Sequence, residues 1–200
     1  MNQKKADGKE RIYAALCEQA KKKPVEKVTV TEIIQHAGIN RSTFYYHFQD
    51  ITHVLDRMMG DFLSEYLPLF EIEEGKTDIN MDPQILKKQE EEICRLIMDR
   101  KCWLNLFFRP FNQKRFRDAF WKAFQDLAGQ HDLVIVKGDG QISKIKRGYI
   151  YDYCLRTQFA YWYELLYFWY ERDFSETAED FVALFNKTDS GVIAFRGGKS

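Results

Sequence analysis

Nine consecutive positions, Arg41-Ser42-Thr43-Phe44-Tyr45-Tyr46-His47-Phe48-Gln49, carry a guanidinium, two hydroxyls, two phenols, an imidazole and an amide. A guanidinium can place two parallel hydrogen bonds on one guanine edge, and hydroxyls can reach phosphates or bases. Bond-breaking chemistry has no comparable footing. His36, His47, His53 and His131 are scattered, and the chain shows no Ser or Cys nucleophile motif, Gly-rich phosphate loop or metal-ligand spacing. The residues suit recognition of double-stranded DNA. No enzyme activity, cofactor or metal is expected.

Reading DNA requires these side chains to project from one side of a supported rod. At helical spacing Ile39, Phe44 and Phe48 fall on one face with His47 at its edge, while Arg41, Ser42, Tyr45, Tyr46 and Gln49 fall on the other and Thr43 lies between. Asn40 is suited to cap this helix, which the sequence places over Arg41 to Gln49. Before it, Thr31 can cap a shorter helix with Glu32 in its first turn and Ile33, Ile34 and Ala37 as the buried stripe. Gly38 supplies the left-handed position that ends it. Two short helices joined by a Gly-bearing turn form a helix-turn-helix. Arg41, Ser42 and Tyr46 are expected at base edges, and Thr29, Thr43, Tyr45 and His47 at phosphates. Thr31 also faces the groove in this reading, and His47 has the alternative of a structural hydrogen bond beside Phe48.

The run from Val28 to Leu55 resembles the DNA-binding segment of the TetR (tetracycline-repressor-like) transcriptional regulators. The resemblance is carried by Thr29, Ile33, Ala37-Gly38-Ile39, Asn40-Arg41 and Thr43-Phe44-Tyr45-Tyr46-His47-Phe48, and it covers roughly the first quarter of the chain. Two positions depart from the pattern: Ile51 stands where the family carries a phosphate-contacting Lys, and Ile34 where it carries Ala. The resemblance implies an all-α fold, with a three-helix DNA-binding domain over 1–50 and a helical ligand-binding and dimerisation domain over 51–200. It also implies a dimer on a palindromic operator, repression, release by a small-molecule inducer, and a fourth helix whose tilt aims the reading helix.

Composition agrees with a globular DNA-binding protein. Hydrophobic residues make up 45% and charged residues 30%, too much apolar character for a disordered chain. Net charge is zero, yet residues 1–60 hold ten Lys/Arg against seven Asp/Glu, so the basic end coincides with the helix-turn-helix. The polar N-terminus has no apolar signal core, and the most apolar run, Phe159 to Tyr170, is interrupted by Glu164. A cytoplasmic location without membrane association is expected. Cys17, Cys94, Cys102 and Cys154 show no paired spacing and read as reduced, mostly buried thiols.

Elsewhere the apolar spacing predicts helices over Asp7 to Lys23, Asp50 to Leu67, Pro83 to Asp99, Trp103 to Phe108 and Asn112 to Leu127. Residues 129–143 read as a loop. A long helix follows over Ile145 to Arg172, and a last one opens at Ser175 before a frayed tail. The long helix is apolar nearly all round. The two C-terminal helices are therefore expected to pair with their copies in a homodimer. Trp103, Phe107, Phe120, Trp121, Phe124, Tyr153, Trp162 and Glu164 are candidates to line a pocket for a small hydrophobic or cationic aromatic ligand. The alternative is a protein partner docking on the same domain.

Overall fold

Apolar periodicity decides most of the helices. The computed structural model describes residues 8–72, 83–136, 142–175, 177, 180 and 192–197. Its helices are α1 (Gly8–Ala20), α2 (Val30–Ala37), α3 (Arg41–His47), α4 (Ile51–Tyr66), α5 (Pro83–Asp99), α6 (Lys101–Phe107), α7 (Pro110–Gln130) and α8 (Tyr149–Glu171). Four strands join them: β1 (Glu71–Ile72), β2 (His131–Val136), β3 (Ile142–Lys144) and β4 (Val192–Gly197). No described helix is long and apolar enough to cross a membrane.

The chain divides into two units, residues 1–62 with 102–116, and residues 63–101 with 117–200. This departs from a boundary at residue 50. The first part of α4 belongs with the helix-turn-helix, and residues 102–116 return to it. The reason is visible in the packing. Phe62 of α4 sets its ring 6.1 Å from both Phe107 and Phe116, tilted steeply to each, and all three are fully buried. Ile12, Leu16, Ile33, Phe44, Val54 and Met58 complete a core without solvent exposure. Each such side chain contributes about 1.5–3 kcal/mol on burial. A three-helix segment alone would leave part of this surface wet.

In the second unit Phe120 and Phe124 of α7 meet Phe159 of α8 at 5.4 and 6.2 Å, and Tyr163 stacks on Phe159 at 5.8 Å. Helical layout is as the sequence suggests, with one correction. Residues 129–143 are not simply a loop. His131–Val136 is a strand, antiparallel to β3 on one side and to β4 on the other, with Val134 opposite Lys144 and Ala194. Strand β1 runs parallel to β4, giving the order β1-β4-β2-β3. Strand β4 ends at Gly197, the first residue of the GGKS tail expected to fray, and the rest of that tail lies outside the described residues. The helix predicted from Ser175 lies mostly outside the described residues. Within it, Thr177 and Asp180 exchange reciprocal hydrogen bonds of 3.0–3.2 Å, a capping pair two residues later than expected.

Candidate nucleic-acid interface

Each helix of the reading segment is started by its own side chains. Thr29, not Thr31, caps α2: its Oγ1 accepts from the Glu32 amide at 3.3 Å, and the Glu32 carboxylate accepts from the Thr29 amide at 2.8 Å. Thr31 is left on the exposed face. Lys23 donates to both Glu32 oxygens at 2.6 and 2.7 Å. These donors, Lys23 first and then Thr29, hold the Glu32 carboxyl down at about 2 from an ordinary value of 4.5. Gly38 then takes the left-handed conformation at φ +59°, where a side chain would be strained.

Asn40 caps α3 three times over. Its Oδ1 accepts from the Thr43 amide, the Thr43 hydroxyl and the Ser42 hydroxyl, each at 2.7 Å. Arg41 lies over the Tyr45 ring, its guanidinium carbon 5.6 Å from the centroid, with Nη2 3.5 Å from the phenol oxygen. The guanidinium is therefore held along the helix rather than left to wander.

Burial separates the two faces as the spacing predicts. Phe44 and Phe48 are at most 2% exposed, whereas Tyr45 is 48% and Tyr46 84% exposed. Arg41, Ser42 and Gln49 are exposed, and Thr43 and His47 half-buried. His47 packs its ring 4.9 Å from Tyr46 and 6.0 Å from Phe48. A Cβ added at Gly8 of α1 would stand 3.0 Å from His47 Nε2 and 3.3 Å from Thr43 Cγ2. One side of His47 is therefore occupied by α1.

Two supporting residues, Arg11 and Asp61, carry no mark in the sequence, and Tyr13 and Lys9 meet partners that spacing does not indicate. Arg11 donates from Nη2 to the Gly38 carbonyl at 2.7 Å, tying α1 to the turn of the helix-turn-helix. Tyr13 reaches further: its ring lies 5.7 Å from Phe48 and 5.2 Å from Trp103, and its hydroxyl donates to Asp61 at 2.8 Å. Burial raises the Tyr13 phenol well above its ordinary range, and the Asp61 carboxylate adds to this. Lys9 closes on the same Asp61 oxygen at 2.9 Å. None of these contacts leaves a local sequence signal, because the partners lie 27 to 90 positions apart.

The eight aromatic and acidic pocket candidates are divided between the two units. Trp103 and Phe107 are buried in the first unit, against Tyr13 and against Phe62 and Phe116. Phe120, Phe124 and Trp162 are buried in the second unit. Trp121 there is half-buried, 5.1 Å from Phe159 and beneath Arg156 at 5.2 Å. Tyr153, 61% exposed, and Glu164 stand on the outer surface of α8. The cysteines also depart from expectation: Cys17 and Cys102, 85 positions apart, are joined in a disulfide within the first unit.

Residues 12–58, the span from α1 into α4, match the family described as bacterial regulatory proteins, tetR family. No curated protein matches the chain in sequence. Two solved structures share its fold. One is a TetR transcriptional regulator from Streptococcus agalactiae 2603V, 19% identical, covering 92% of this chain and 93% of its own, with a TM-score of 0.51. The other is described as a TetR-family transcriptional regulator from Syntrophomonas wolfei str. Goettingen, 14% identical, covering 90% and 93%, with a TM-score of 0.58.

Proposed function

We infer that this chain, a tetR-family DNA-binding transcriptional regulator by virtue of residues 12–58, acts as a dimeric repressor that sits on a palindromic operator. The observation that carries the reading is the split of α3. Phe44 and Phe48 anchor it in the core while Arg41, Ser42, Tyr45 and Tyr46 stand in solvent. Laid in a major groove, Arg41 would take a guanine edge, with Ser42 and Tyr46 at neighbouring bases. Thr29, Thr43, Tyr45 and His47 would meet the backbone and fix the register, with Thr31 at the rim.

Dimerisation is supported by α8, which leaves Tyr149, Ile150, Tyr153 and Phe168 more than half exposed. Exposed apolar side chains at that density on one helix favour a self-complementary partner surface. The second C-terminal helix of the proposed interface lies outside the described residues. A two-fold pair of α3 helices would span half-sites roughly 34 Å apart. The cue for release is proposed to act on the second unit, as a small hydrophobic or cationic aromatic ligand near Phe120, Trp121, Phe124 and Trp162. Such a ligand must bind one disposition of the reading heads better than the other. The close ring contacts among Phe120, Phe124, Phe159 and Tyr163 favour a second reading, in which a protein docks on that unit instead.

Selection of bound sequences from random duplex DNA by the purified chain tests the reading. Enrichment of an inverted repeat supports it, and enrichment of nothing refutes it.

A further inference from the structure

Cys17 lies on α1 and Cys102 on α6, with Cα atoms 6.1 Å apart and sulfurs joined. That separation lies inside the roughly 4.4–6.8 Å a bridge spans without moving the backbone. Cys94 and Cys154 are buried and take no part in the bond. We propose that Cys17 and Cys102 form a reversible thiol–disulfide site, and that closing the bond tightens the protein's hold on DNA. The proposal rests on the DNA-binding reading given above.

A regulator works beside its DNA, in a compartment where thiols are kept reduced. A cysteine pair positioned to bond there is a transient, redox-sensing pair more often than a structural one. The two sulfurs differ in access: Cys102 is half-buried and Cys17 only 7% exposed. Cys102 is thus the sulfur that a hydroperoxide meets first. Its thiolate attacks the outer peroxide oxygen, the O–O bond breaks, and the alkoxide or hydroxide leaves and takes up a proton. The sulfenic acid at Cys102 is then attacked by the Cys17 sulfur. The S–O bond breaks and water departs with the Cys17 proton. In sum, two thiols and one hydroperoxide give a disulfide, an alcohol or water, and a further water. The sulfurs lose two electrons and the peroxide gains them, and a dithiol reductant restores both thiols.

The bond acts on DNA through α1, the helix that seats the reading head. Arg11 holds the Gly38 carbonyl, Gly8 abuts His47 and Thr43, and Tyr13 packs on Phe48. Linking α1 to α6 closes a span of 85 residues and removes freedom from states in which α1 has left its seat. Less ordering then remains to be imposed when α3 engages a groove.

The full chain, reduced with a dithiol or oxidised with equimolar hydrogen peroxide, is assayed by peptide mass spectrometry and by titration onto a duplex enriched by selection. A dithiol-reversible Cys17–Cys102 linkage is expected, with affinity about fivefold or more higher in the oxidised form, at the low end of usual coupling between sites. Neither Cys17→Ser nor Cys102→Ser should respond to peroxide in this way. Cys102→Ser, at the less buried position, serves if Cys17→Ser does not fold. Failure of the linkage to form, or its formation without tightening, overturns the proposal. If the linkage forms but neither form binds any duplex, the DNA-binding reading itself falls and takes the tightening with it.

Discussion

Arg11 and Gly38 are joined by a 2.7 Å hydrogen bond from the guanidinium to the carbonyl oxygen of the residue that turns α2 into α3. The contact makes α1 a strut for the reading helix rather than a neighbour of it. Removing it with Arg11→Ala should weaken DNA binding by about 1 kcal/mol, the scale of one net hydrogen bond, while leaving base preference unchanged. Gly38→Ala should lower stability by about 1–2 kcal/mol, because a Cβ is strained in the left-handed region and would stand 3.0 Å from Arg11 Nη2. Binding titrations on permuted duplexes and equilibrium denaturation check the pair.

Arg41 has a different signature. Its guanidinium is exposed and steadied by Tyr45, so Arg41→Ala should cost about 1–3 kcal/mol and relax preference at one operator position. Tyr45→Ala should reproduce a smaller part of that loss by releasing the guanidinium. Affinity profiles over single-base variants distinguish the two, and an unchanged profile for Arg41→Ala contradicts its place at a base edge.

The cap of α2 gives a pH dependence with a definite sign. Glu32 is held at about 2 in the folded chain, below its ordinary 4.5. Its stabilisation is therefore complete above pH 4.5 and is lost as pH falls toward 2. Glu32→Gln should be less stable than the wild type at neutral pH, and the gap should close through that window. Urea midpoints measured from pH 7 down to pH 2.5 would show it; a gap independent of pH would mean that the carboxylate charge is idle.

On α8, Ile150→Glu combined with Tyr153→Glu should abolish dimerisation at micromolar concentration, since two charges would be buried against their copies. Both positions are more than 60% exposed in the single chain, so the fold should survive by circular dichroism. A dimer persisting in sedimentation velocity would place the interface elsewhere.

The reading helix was legible because its information is local. The Asn40 cap, the Gly38 turn and the alternation of Phe44 and Phe48 with Arg41 and Tyr45 all lie within the eleven residues from Gly38 to Phe48. The supports were not, since Arg11 and Asp61 act on residues far along the chain and carry no periodic mark. The same cause hid the sheet. Leu133 to Val136 has strand composition, but its principal partner, β4, comes from the other end of the second unit. Two threonines two positions apart can each cap α2, and Glu32 selects Thr29, three residues before it, over Thr31. Nothing in spacing alone could pair Cys17 with Cys102.

Hydroxyl-radical footprinting of the selected duplex is the most direct trial of α3 as a paired reading head. Two protected tracts should appear on one face of the duplex, about one helical turn or roughly 34 Å apart, with two protomers bound and both tracts weakened by Arg41→Ala. A single tract, or protection that Arg41→Ala leaves intact, would contradict it.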